Sequence, residues 1–343
     1  MIKRLLLSGL AALLGPAIFM TSFPANAGQM LDAIKARGSY KCALGPGFAG
    51  FGFPDDKGVW KGFNVSVCHA VAVALFNDPA KAEIVAMPTQ QRMPAVQTGE
   101  VELSAASTTV TLLRDAQLAL TFAPVVFYDG QGFMAPKKLG VKTARDLNGA
   151  TICVLPGSTS ELNVSDYFRK NKMTFTPVVI ENVSEARAAF FNGRCDVFTT
   201  DISGLAAMRV AAPKPDDYVI LPDRISKEPL APSVRQGDDQ WADIVRWAIY
   251  AMIEGEELGV TSKNVDEMLK GSDPNVRRFL GVEPGLGQAL GLDQKFAYNI
   301  IKKVGNYGEN FDQWLGSGSE LKLERGLNEL WTKGGLVYAP PFR

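Results

Sequence analysis

TICVLPGSTSELNVSDYFRKNKMTFTPVVIENVSEARAAFFNGRCDVFTT, residues 151–200, is the stretch that decides the fold. Its short apolar runs, Thr151–Leu155, Thr176–Ile180 and Asp196–Thr200, have the length of buried strands. Longer runs between them, Glu161–Lys170 and Ser184–Asn192, read as helices. Short strand-like runs alternating with helical ones are the mark of βαβ units and a parallel sheet. The same β-α-β-α-β order occurs earlier in the chain. Its strands are expected at Tyr40–Leu44, Ala82–Met87 and Val101–Ala105, and its helices at Val65–Phe76 and Gln90–Thr98. Each copy is the size of half a doubly wound sheet, so the pattern predicts two α/β lobes.

Between the copies, Gly130–Pro136 (GQGFMAP) reads as an extended segment crossing from one lobe to the other. A second crossing is expected near Arg224–Arg235, where Pro222, Pro229 and Pro232 disfavour helix. Two crossings make one lobe discontinuous. Residues 28–134 with 225–343 form lobe 1, ending in a helical tail clearest at Trp241–Gly255 and Phe296–Val304, and residues 135–224 form lobe 2. The expected fold is therefore α/β, with two doubly wound lobes joined by two crossing strands and a helical C-terminal extension.

At the N-terminus, Lys3 and Arg4 precede the apolar run Leu5–Met20, and Ala25-Asn26-Ala27 follows, which is the pattern of a secretory signal peptide over residues 1–27. No other stretch approaches the roughly 20 apolar residues needed to span a bilayer. Removing residues 1–27 takes away two basic side chains and no acidic one, leaving 34 against 36 and a net charge of −2. A grip on nucleic-acid phosphates needs a basic excess, so nucleic acid is not an expected partner. Export also places Cys42, Cys68, Cys153 and Cys195 where disulfides persist. Pairing Cys42 with Cys68 and Cys153 with Cys195 is favoured by their places on adjoining elements, but four cysteines allow three connectivities and free thiols stay open. Metal binding is not expected, because the one histidine, His69, lies in a helical run and no Cys-x-x-Cys occurs.

Ligands of open α/β sheets bind beyond the carboxyl ends of the strands, and three such positions are informative. After the Val101 strand, Ser107-Thr108-Thr109 and Arg114 offer hydroxyls, backbone N–H groups and a guanidinium suited to a carboxylate. After the Thr151 strand, Pro156-Gly157-Ser158-Thr159 turns into a helix whose N-terminal N–H groups favour the same anion. After the Asp196 strand, Asp201 places an acid that, if unpaired, suits an ammonium group. Helix capping is the plain alternative at each place. Together they form an anion grip and a cation grip on facing sheets, the complement of a zwitterion, and an α-amino acid is the commonest small one. Phe48, Phe51 and Phe53 follow the first strand as candidate walls.

On these residues the chain resembles the solute-binding proteins of polar amino acid ABC transporters, and most closely their long subgroup, the general L-amino acid-binding periplasmic proteins. The resemblance rests on Trp60–Val65 (WKGFNV), Phe127–Met134 (FYDGQGFM), Gly193–Val197 (GRCDV), Ile225–Leu230 (ISKEPL), Gly237–Trp241 (GDDQW) and Val304–Glu309 (VGNYGE). It implies a type II periplasmic binding protein fold, a periplasmic location, an L-amino acid as ligand, ABC permease subunits in the inner membrane as partners, a monomer, and no cofactor. It further implies Arg114, helped by Ser107, Thr109 and Thr159, for the ligand carboxylate, Asp201 for its ammonium and Phe48 as an aromatic lid. The chain departs from the subgroup at Ala106-Ser107-Thr108-Thr109-Val110-Thr111, where Arg-Asn-Thr-Thr-Trp-Thr is usual, and at Asn64, where Asp is usual. Two other functions are carried on this fold: a cyclohexadienyl dehydratase, against which the shortage of general acids and of histidine speaks, and a ligand-sensing module.

Overall fold

The computed structural model describes residues 28–343, and the expected signal peptide lies outside the described residues. Helix α1 (Gln29–Arg37) precedes β1 (Tyr40–Leu44), and a hairpin of β2 (Phe53–Pro54) and β3 (Trp60–Lys61) leads into α2 (Phe63–Phe76). Then follow β4 (Ala82–Ala86), α3 (Thr89–Thr98), β5 (Leu103–Thr109), α4 (Leu112–Gln117), β6 (Leu120–Phe122) and β7 (Phe127–Asp129). The chain next builds a second sheet from β8 (Gln131–Pro136), β9 (Thr151–Val154), β10 (Thr176–Val179), β11 (Val197–Asp201) and β12 (Tyr218–Ile220), in the order β10-β9-β11-β8-β12. Helices α5 (Thr159–Lys170), α6 (Val183–Phe191) and α7 (Ile202–Val210) connect its strands. Finally β13 (Glu228–Arg235) returns to the first sheet, whose order is β4-β1-β5-β13-β6 with β7 also paired to β13.

Strand and helix ends fall within two residues of those read from the sequence, with one exception. β5 runs on to Thr109 because β13 pairs beside it, Leu230 against Thr109 and Ala231 against Thr108. Its last residues are small and polar, so no apolar alternation marked them as strand. Ser107 and Thr109 are therefore strand residues, and Thr111 caps α4 by accepting from the Arg114 N–H. The prolines of β13 also need explaining, since a central strand rarely tolerates them. Pro229 and Pro232 contribute carbonyls only, to Val110 and Ala123, and Pro232 lies where the register with β5 shifts.

Both crossings between the sheets pass through one place. β7 belongs to the first sheet and β8 to the second, with Gly130 alone between them. The Ile225 N–H donates to Gln131 O at 2.9 Å and the Gln131 N–H to Ser226 Oγ at 3.2 Å, so the outgoing and returning segments are tied together. A Cβ on Gly130 would stand 2.8 Å from Ser226 O, closer than side chains approach, which is why glycine occupies the position.

The tail completes the first core. Eleven of the fourteen residues of α2 are buried, so this helix has no face fit for water. Its outer side is covered by α8 (Asp239–Glu257) and, beyond the short helices α9 (Val265–Met268), α10 (Pro274–Phe279) and α11 (Leu286–Ala289), by α12 (Phe296–Val304) and α13 (Tyr307–Trp314). Trp241 is buried and donates its indole N–H to Glu102 O, while the Tyr307 hydroxyl donates to Val126 O. Further on, Asn328 Oδ1 accepts from the Tyr128 N–H and its Nδ2 donates to Tyr128 O, so the tail grips both backbone groups of β7. Two smaller cores flank the second sheet, one around Phe190 and Phe198 and one around Phe133 and Phe168.

Disulfides join Cys42 to Cys68 and Cys153 to Cys195, closing loops of 26 and 42 residues. The first binds β1 to α2 inside the large core, and the second binds β9 to the turn before β11. Replacing either pair by alanine should lower the unfolding free energy by about 3 kcal/mol, read from urea denaturation. A change under about 1 kcal/mol would show that these loops are already restrained in the unfolded chain.

Candidate ligand-binding cleft

The carboxyl ends of the two sheets face each other across a cleft of about 80 Å³, and Phe48, Ser107, Thr109, Arg114, Thr159 and Asp201 all line it. The first four come from the first sheet and its loops, the last two from the second. The six residues singled out from the sequence thus meet in one place, together with Gly45, Phe51, Asn64, Arg92 and Ala106.

Two guanidinium groups supply the positive side. Arg114, on the first turn of α4, donates from Nη1 to Thr109 O at 2.9 Å and from Nη2 to Gly157 O at 3.4 Å, reaching from one sheet to the other. Burial depresses its pKa, against the opposing pull of Glu228 and Asp201. Arg92, on α3, is buried; it donates from Nη1 to Ala106 O at 2.8 Å and from Nε to Met87 O at 3.3 Å. Burial, then the Arg114 charge, lowers its pKa to about 10 while Asp201 pulls the other way, so it stays protonated at neutral pH. A Cβ on Gly45 would collide with the Arg92 guanidinium, so glycine there makes room for the charge. Both cations are held by neutral carbonyls, and no carboxylate among the described residues forms an ion pair with either.

Asp201 supplies the negative side. It occupies the N-cap position of α7, yet its side chain caps nothing. Asp129, at the end of β7, does that work from the other sheet, its Oδ2 accepting from the Ser203 N–H at 3.2 Å. The capping alternative for Asp201 is therefore removed, and its carboxylate is left facing the cleft. Burial first, and then the nearby Asp129 and Glu228, push its pKa well above the usual carboxylate range, with Arg114 and Arg92 opposing.

Hydroxyls and one aromatic ring complete the lining. Ser107 takes the left-handed backbone conformation, φ 52°, and its Oγ accepts from Asn64 Nδ2 at 2.9 Å. Thr109 and Thr159 bring their hydroxyl oxygens within 3.3 Å of each other across the cleft. Ser158, not Thr159, caps α5 by accepting from the Glu161 N–H, and the Glu161 carboxylate reaches back to the Gly157 N–H. The N–H groups of Thr159 and Ser160, in the first turn, have no intrahelical acceptor. Phe48 packs against both the first core and a core of the second sheet, with its ring over Gly204 of α7. Phe51 is buried edge-on against Phe127, and Phe53 sits edge-on to Trp314 away from the cleft.

Arg92 and Glu228 escaped the sequence reading. Arg92 stands one turn into α3, past the loop that follows β4, and so outside the strand-end positions that the sequence marks. His69, the one histidine, lies in α2 outside the cleft. What the arrangement offers chemically is a pair of cations, one uncapped carboxylate and several fixed hydroxyls around a small cleft.

The chain is similar to known proteins over most of its length. Residues 40–264 match the family model for bacterial extracellular solute-binding proteins, family 3. The general L-amino acid-binding periplasmic protein AapJ of Rhizobium johnstonii is 49% identical over 97% of this chain and 98% of its own length. The glutamate/glutamine/aspartate/asparagine-binding protein BztA of Rhodobacter capsulatus is 48% identical over 93% of this chain and 95% of its own. Among solved structures, an ABC transporter/periplasmic binding protein from Brucella ovis with glutathione bound superposes with a TM-score of 0.89 at 50% identity, covering 91% of this chain and 99% of that one. The chain belongs to family 3 of the bacterial extracellular solute-binding proteins.

Proposed function

We propose that this protein is a periplasmic receptor that captures L-amino acids between two lobes and delivers them to the permease subunits of an ABC importer in the inner membrane. The observation that carries the proposal is the meeting of Arg114, from the first sheet, with an uncapped Asp201, from the second, across one cleft. The ligand carboxylate goes to Arg114 and the free N–H groups at the start of α5, its ammonium to Asp201, and Phe48 closes over it. Arg92 lies where a side chain would extend, which favours ligands ending in a carboxylate or amide. The names of the Rhizobium and Rhodobacter relatives support a free amino acid as ligand. No lining residue is assigned a catalytic role, and the protein acts as a monomer.

The motion is a hinge closure of the lobe built on the first sheet against the lobe built on the second, about the paired crossings at Gly130 and Ile225–Ser226, with Gln131–Met134 of β8 moving with the second lobe. A second ligand class has its own support, because the Brucella neighbour holds glutathione. The γ-glutamyl end of glutathione carries a free α-carboxylate and α-ammonium, so the same two grips serve it. Ala106, where the subgroup carries arginine, leaves space beside the cleft for such an extension.

Asp201 ties binding to pH. Its pKa is raised on folding, so between the unfolded carboxylate value of about 3.9 and the raised folded value the native state holds the extra proton. Stability therefore falls as pH rises through that window and levels off above it. An ammonium beside Asp201 reverses the shift, so binding releases a proton and affinity grows with pH over the same interval. Asp201→Asn should stabilise the ligand-free protein by about 1 kcal/mol while abolishing proton release and most of the affinity. Thermal unfolding and calorimetry in buffers of different ionisation enthalpy read the two effects, and a variant less stable than the parent would contradict the unpaired carboxylate.

Arg114→Ala should cost roughly 2–5 kcal/mol of binding, as expected when one partner of an enclosed charge pair is removed. Ligands for the titration come from a thermal-shift screen of the twenty amino acids and glutathione. A loss under tenfold for the best ligand would refute the role of Arg114, and a screen with no shift would refute the receptor.

A further inference from the structure

Near its C-terminus the chain forms a strap that doubles back on itself, the Leu336 N–H donating to Leu327 O and the Trp331 N–H to Val337 O, both at 2.9 Å. Leu330, Val337 and Phe342 turn inward and belong to the first core, which accounts for them. Leu327, Trp331, Leu336 and Tyr338 turn outward, each 45–53% exposed. The Trp331 and Tyr338 rings meet edge-on with centres 5.8 Å apart, so the outward side chains form one patch. The strap lies along one face of α8, where Trp247, Tyr250, Glu254 and Glu257 recur at helical spacing. Glu257 Oε2 accepts from the Trp331 indole N–H at 3.0 Å, and Phe342 packs edge-on against Trp247. No cation among the described residues forms an ion pair with Glu254 or Glu257, and Lys333, the strap's own cation, reaches neither. Burial first, and then the Glu257 charge, push the Glu254 pKa up to about 7.

We infer that this patch is a docking surface for the importer, and that it takes an apolar segment of a permease subunit bearing arginine or lysine. The inference rests on the receptor reading and adds a surface to it. Area excludes a second copy of the chain. Half of the surface of two aromatic and two leucine side chains is on the order of 400 Å², within the range where a patch on a monomer is often functional. A stable dimer buries about 800 Å² on each partner, so the patch suits a contact made briefly and repeatedly, as a delivering receptor needs. Charge selects a cationic occupant. Two unpaired carboxylates beside two aromatic rings attract a guanidinium or ammonium, through ion pairing and through the ring faces, and repel an anionic lipid surface. None of these residues lines the cleft, so docking here leaves capture of the ligand undisturbed. The strap also lies beyond residues 40–264, which match the family, but within the length shared with the Rhizobium relative. The surface therefore belongs to an extension added to the binding unit.

Cross-linking and uptake test this in cells of its own organism that lack the chromosomal copy. With Leu336→benzoylphenylalanine, irradiation should join the receptor to an ABC permease subunit, identified by mass spectrometry. Leu336→Ser combined with Tyr338→Ser should leave the ligand affinity of the purified protein unchanged. In cells it should lower the initial uptake rate of the amino acid chosen by the thermal-shift screen about tenfold, the scale of losing an aromatic anchor from a contact. Glu254→Lys answers Glu257 with a cation of the protein's own, so it should lower uptake by a similar factor with no loss of thermal stability. A merely structural role for Glu254 predicts the reverse, altered stability with uptake intact. Undiminished uptake in both variants, or a cross-link to lipid, to a second copy of the chain or to nothing, would overturn the surface. If the paired serine variant does not fold, Glu254→Lys and the cross-link decide by themselves. A wild-type protein that binds no amino acid sinks the receptor reading and this surface with it, whereas normal binding and uptake by every variant sinks the surface alone.

Discussion

The site depends on how the chain passes between its sheets. Both passages run through one tied pair of segments at Gly130 and Ile225–Ser226, where a side chain on residue 130 has no room. That closeness lets Asp129, the last residue of a strand in one sheet, cap a helix that begins in the other. With the cap supplied from outside, Asp201 at the end of its own strand has nothing to hold. The carboxylate that distinguishes the cleft is thus a product of the crossing geometry.

The electrostatics follow the same economy. Arg92 and Arg114 are desolvated, but their protein partners are backbone carbonyls, which orient a guanidinium without neutralising it. Glu228 is shielded by four neutral donors. The cleft therefore keeps a strong, fixed separation of charge in a poorly screened volume, the kind of preorganisation that lowers the cost of binding a matching dipolar molecule.

Most of the fold was legible in the sequence, because strands buried on both faces and the helices between them leave an unmistakable alternation of run lengths. The reading stopped short at the end of β5, where Ser107–Thr109 are small and polar and pairing with β13 makes them a strand. Arg114, Thr159 and Asp201 could be picked because each follows a strand closely, and strand ends are where such sheets bind. Glu228 could not. In Lys227-Glu228-Pro229 it reads as an exposed charge beside a turn-forming proline, and its burial arises only when α5, β5 and the crossing converge on it. Arg92 was hidden in a different way, one helical turn into α3 and aimed back at the loop after β1.

The covering of α2 has a consequence for the order in which the molecule is assembled. Every strand of the second sheet lies within residues 131–220, whereas the first core needs groups as far apart as Leu31 and Phe342. The Leu31 N–H finds its acceptor only in Asp238, and β7 finds the far side of its backbone only in Asn328. Contacts so distant along the chain form slowly. A chain that emerges N-terminus first into the compartment where it folds can complete its inner domain while the outer one waits for the last residues, with the oily cylinder of α2 as the last surface to be shielded from water.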